Sequence, residues 1–180
     1  EEEREEEREE EGQEQVDEQV ADPGEQEEYD QLLENLMSLP GRGHLPLLSP
    51  HPIPNKETTW FGEDNGGVTR DIAGILRRKF NKLYYNWSVT PIKKRELFFR
   101  TFAQLYNWEA GITGLVKEEF NAIASVRLKG IVSQAKSKGS RPYWIDGELW
   151  NTMSLYWKTP TSQTRSKTAS DSRNSNRNGL

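Results

Sequence analysis

Seventeen of the eighteen aromatic residues lie between Trp60 and Trp157, and Tyr29 is the exception. Aromatic side chains carry the largest apolar areas a small core can bury. That distribution therefore confines the folded body to the middle of the 180-residue chain. A body of about 90–100 residues can bury roughly two-thirds of its chain surface without staples. The whole chain is 33% hydrophobic and 29% charged, a balance that implies solvated tails beside the core. With no Cys, disulfides, thiolate nucleophiles and Cys-based zinc sites are excluded. No run approaches the ~20 apolar residues of a membrane span, and no secretory h-region opens the chain. The expectation is a soluble intracellular protein with no membrane partner.

Charge divides the chain again. Residues 1 to 35 hold 15 Glu and 3 Asp against Arg4 and Arg8. From Val68 to Leu180 there are 20 Lys+Arg and 8 acids, so the net charge of -5 conceals an acidic tail before a basic body. Residues 1–25 are low-complexity and acidic, and competition with a polyanion for the basic body is the role their charge suggests. Tyr29, Leu32, Leu33, Leu36 and Met37 recur at helical spacing and predict a short amphipathic helix over 26–38. Asp22-Pro23-Gly24 reads as a break before it. Five Pro and five Gly make 39–67 an extended linker.

The body, 68–158, reads as a small all-α bundle of about four helices. Thr69 caps the first, which runs to about Tyr84. Thr90-Pro91 opens the second, ending near Asn107. Thr113 to Lys138 is the third, stopped by Gly139. Asp146 caps the fourth, which carries Trp150 and Trp157. No segment sustains period-2 alternation, so no sheet is expected. Residues 159–180, rich in Ser, Thr and Asn, read as a disordered basic tail.

Little chemistry is available. His44 and His51 lie in the Pro-rich segment without Cys partners, and a zinc site needs about four converging ligands. The glycine pairs match no phosphate-loop spacing. The acids of the body are outnumbered, and Asp71 and Asp146 have structural duties at helix starts. No catalytic residue, metal or cofactor is expected. The bases are more informative: Arg77, Arg78 and Lys79 with Lys82, and Lys93, Lys94 and Arg95 with Arg100. Spread over the surface, they would only keep the domain soluble. Gathered on one face, they would displace counterions from a nucleic-acid backbone. The tryptophans could stack on unpaired bases, but at helical spacing they read as core.

The order of aromatic motifs resembles the plant transposase domain of the Ptta/En/Spm family. The resemblance rests on Tyr85-Asn86-Trp87, Pro91, Phe98-Phe99 with Phe102, and Tyr106-Asn107-Trp108. It continues through Phe120, Arg127-Leu128-Lys129, Pro142-Tyr143-Trp144-Ile145, Leu149-Trp150 and Tyr156-Trp157, then Thr159-Pro160 and the Ser-rich tail. It implies a plant, transposon-derived nuclear protein that acts on DNA, as a truncated, decayed or domesticated copy. The acidic triad of such transposons would need a strand-rich nuclease fold, so non-catalytic DNA binding is the expectation. The alternative is a module that assembles with a separate transposase or other nuclear protein and never touches DNA.

Overall fold

Asp22 and Pro23 start a helix instead of breaking one. The computed structural model describes residues 20–84 and 86–177. In it α1 spans Pro23–Met37, and the Asp22 carboxylate accepts from the Gly24 and Glu25 amides at 2.7 and 3.1 Å. An acidic N-cap followed by Pro at the first position satisfies one pair of orphan donors and needs no other. The acidic stretch before residue 20, with the competition its charge suggests, lies outside the described residues, as does Tyr85.

The described chain is mostly helical, in keeping with the all-α expectation, with six α-helices among the described residues. After α1 come α2 (Gly67–Arg78), α3 (Ile92–Phe102), α4 (Thr113–Lys138), α5 (Gly147–Trp157) and α6 (Pro160–Arg177). The third expected helix coincides with α4. Its stop, Gly139, sits at φ 67°, a left-handed conformation that suits glycine. The first expected helix ends earlier, because Lys79 caps α2 and the chain leaves the helical path before Phe80.

Two compact units emerge. Among the described residues the first comprises those up to Lys79 and from Tyr84 to Val132; the second comprises Phe80–Leu83 and those from Ser133 to Arg177. In the first unit Phe99, Phe102 and Phe120 meet ring to ring at 5.1–6.4 Å, and Trp87, Trp108, Tyr106 and Phe61 close around them. Each such ring contributes about 1.5–3 kcal/mol by burial. Val68, Ile72, Ile75 and Leu76 give α2 an apolar side with no measurable exposure.

The Pro/Gly-rich segment departs from the linker expectation, and with it from the expectation of no sheet. Leu47–Leu48 (β1) pairs in parallel with Thr58–Thr59 (β2) on one side and Asn107–Trp108 (β3) on the other. These two-residue strands are too short to show alternation. Arg42 holds the segment down. Its guanidinium is buried and donates to the Ala103 and Tyr106 carbonyls at 2.5 and 2.9 Å. Those carbonyls lie just past α3, where helices leave acceptors unpaired and the dipole favours a cation. Burial pushes the Arg42 guanidinium below its ordinary value.

The second unit has a smaller interior. Phe80 packs edge-on against Trp144 at 5.2 Å, and Trp150 against Trp157 at 5.4 Å. The Asp146 carboxylate accepts from the Leu149 amide at 2.8 Å, as its expected capping role requires. The C-terminal segment expected to be disordered is α6. Thr159 Oγ1 accepts from the Ser162 amide at 3.3 Å, and Pro160 takes the first helical position. Lys136 Nζ donates to Ser166 Oγ at 2.7 Å, tying α6 to the end of α4.

Candidate nucleic-acid interface

Successive helical residues point about 100° apart, so three adjacent bases cannot share one face. The structure reflects this. On α2, Arg77 is half-buried, Arg78 is exposed, and Lys79 is the exposed C-cap. Arg78 folds back toward Gly74, where an added Cβ would lie 3.4 Å from its guanidinium. Arg70 stands seven residues before Arg77 and is also exposed, and its guanidinium donates to the Asn65 carbonyl at 2.8 Å. Spacing of seven returns to nearly the same direction. Arg70 therefore belongs with Arg77 on the solvent side of α2, although no run of adjacent bases marks it.

On α3 the bases separate. Lys93 is exposed and shares its direction with the half-buried Arg100, seven residues on. Lys94 lies over the Phe98 ring at 5.2 Å, and the Arg100 guanidinium lies 5.9 Å from the Tyr29 ring. Both therefore spend part of their length covering aromatic surface. Arg95 is half-buried, 100° round from Lys94. Lys82 is exposed and belongs to the second unit. The eight expected contact residues are thus not gathered on a single face. The exposed heads are Arg78, Lys79 and Lys93 in the first unit and Lys82 in the second.

Their electrostatic setting is open. Among the described residues the ion pair seen is Lys117 with Glu96, so Arg77, Arg78, Lys79 and Lys93 carry no carboxylate partner. That pair has a structural place: Glu96 is buried on α3, and Lys117 from α4 neutralises it while lying 5.8 Å from the Phe99 ring. Asp71 on α2 is likewise engaged, accepting from the Tyr106 hydroxyl at 2.6 Å. Among the described residues no group of three or more His, Asp or Glu is placed to hold a metal ion. No described helix is long and apolar enough to cross a membrane.

The aromatic motifs are accounted for mainly by packing. Trp87 and Trp108 are buried, whereas Trp144, Trp150 and Trp157 are half-buried and Tyr143 is 92% exposed. A shallow cleft of about 740 Å³ lies in the first unit, lined by Gly43–Leu47, Lys56–Thr59 and Asn107. None of the eight expected contact residues lines it.

No family model matches the chain, and no solved structure matches it. A probable transposase-like protein of Arabidopsis thaliana is 33% identical over 76 residues. The match covers 39% of this chain and 22% of the relative, so the chain spans about a fifth of that protein's length. The match establishes a transposase-like relationship over that stretch.

Proposed function

We propose that this chain is a transposon-derived, non-catalytic DNA-binding module of a plant nucleus, of Ptta/En/Spm type. What supports the reading is a smaller set than the sequence suggests: Arg78, Lys79 and Lys93, exposed at the end of α2 and the start of α3 with the half-buried Arg77, for which no ion pair is seen among the described residues, although the eight bases do not share one face. Such groups contact phosphates and set position more than sequence. Lys94, Arg95 and Arg100 are half-buried and contribute less, and Lys82 belongs to the second unit. The transposase-like relative supports the ancestry. Catalysis has no part in this reading; the buried Glu96 pairs with Lys117 and Asp146 caps α5.

Binding to duplex DNA measured against salt tests the proposal. A phosphate-dominated mode gives a linear log–log loss of affinity with a slope of roughly -0.9 per contact. A flat dependence removes it. A second reading then takes over: a protein-interaction module that assembles with a separate transposase or other nuclear protein. Tyr143 and Leu155, 92% and 68% exposed in the second unit, favour that alternative, since exposed apolar side chains are what a partner protein covers.

A further inference from the structure

The helix α6 carries an outward ridge that is polar along its length. Gln163, Lys167, Ser170 and Asn174 are all exposed and follow one another at i, i+4, i+7 and i+11. That spacing places them along one side of a helix. The opposite side is anchored: Ser162 is buried, Ala169 and Arg165 are half-buried, and Arg165 reaches the Tyr156 hydroxyl at 3.4 Å. Ser, Thr and Asn are weak helix formers, and the ridge contains no apolar residue. A protein partner would find nothing there to bury, since protein interfaces rest on aromatic and aliphatic anchors. The side chains of the ridge are instead two amides, a hydroxyl and an ammonium.

We propose that α6 reads base edges in the major groove of duplex DNA, a specificity role distinct from that of the phosphate-contacting bases. This rests on the DNA-binding reading above. The amides of Gln163 and Asn174 can each make the paired donor–acceptor contact that adenine presents, Lys167 suits guanine acceptors, and Ser170 suits either. The ridge extends over about 16 Å of helix, the length of roughly five stacked base pairs. Along α6 four bases, Arg165, Lys167, Arg173 and Arg177, are set against the single acid Asp171, a positive balance suited to a polyanion, and Lys167 carries that charge on the ridge itself. A-form RNA keeps its major groove too narrow for a helix, so DNA is the occupant.

The experiment uses the full chain to enrich a preferred sequence from a random duplex pool, then compares its affinity with that of a scrambled duplex. Gln163→Ala, Ser170→Ala and Asn174→Ala combined should lower that preference by on the order of tenfold or more, with the salt slope unchanged. Alanine favours the helix, and far-ultraviolet circular dichroism checks that it persists. Asn174→Asp replaces a donor–acceptor group with acceptors and should change the base enriched at one position. Ser172→Ala, off the ridge, should leave the preference intact. The inference is overturned if the triple variant keeps its preference, or if the pool yields no preferred sequence while salt-dependent binding persists. It is also overturned if duplex RNA of the same sequence binds equally well. Loss of all salt-dependent binding in the parent chain would remove the phosphate reading as well, which separates the two failures.

Discussion

In the first unit Phe99, Phe102 and Phe120 meet ring against ring beside a buried carboxylate neutralised by Lys117. In the second, Tyr143 and Leu155 stand 92% and 68% exposed, and α6 carries a polar ridge. The contrast separates two uses of a sequence. Rings that touch one another on every side leave little for a ligand and contribute mostly to stability. Side chains held outward on a helix contribute little to stability and remain available for recognition. On the proposed reading, the first unit is the scaffold that would also present phosphate contacts, and the second would supply selectivity.

Removing the centre of the scaffold is the most direct way to break this comparison. Phe120→Ala empties a site with no measurable exposure and should cost about 3–5 kcal/mol, read as a lowered midpoint of chemical unfolding. Next comes Arg42→Met, which keeps the stem but leaves the Ala103 and Tyr106 carbonyls without their donor. Hydrogen bonds to a charged group contribute about 1.5–3 kcal/mol each, so a loss of roughly 3 kcal/mol is expected on thermal or chemical unfolding.

A smaller effect should come from alkali. Burial first, then the charges of Glu25, Glu28 and Glu96, raise the Tyr29 hydroxyl above its ordinary 10.0, with Arg100 acting in the opposite sense. The folded state therefore holds that proton more tightly than the unfolded chain. Its contribution is complete below pH 10.0 and is lost as pH rises through the folded value. Tyr29→Phe should flatten the fall of stability above pH 10.0, measured by unfolding at a series of alkaline pH values. The smallest effect belongs to the second unit: Leu155→Ser, at an exposed site, should stay within about 0.5 kcal/mol. A large loss there would erase the contrast.

Sequence legibility followed the range of the interactions. Helix α4 could be read because Thr113 and Gly139 bound an apolar stripe that runs on past Gly130, all within local reach. Asp146 could be read because its capping partner is three residues away. The Arg42 anchor could not, since its acceptor carbonyls lie 61 and 64 residues along the chain. The parallel pairing of Leu47 with Asn107 is equally remote. Two starts were legible but misread. Asp22-Pro23 and Thr159-Pro160 both combine a capping side chain with Pro at the first helical position; at Thr90-Pro91, where the same signal is expected, Pro91 is itself the N-cap and no side chain caps α3. Composition outweighed it: the glutamates before α1 and the Ser/Thr/Asn content of α6 suggested solvated tail. At the candidate interface, adjacency in sequence drew attention to Lys93, Lys94 and Arg95, although the helix turns consecutive side chains apart. Arg70, seven residues from Arg77, was the more informative spacing.

The central claim is that exposed bases of the first unit, with no ion pair seen among the described residues, contact phosphates. Its sharpest test compares the salt dependence of duplex-DNA affinity for the parent chain and for Arg78→Gln, Lys79→Gln and Lys93→Gln. Each substitution should weaken binding to all sequences alike and reduce the log–log slope by about one. Slopes that stay at the parent value in all three variants would contradict the account.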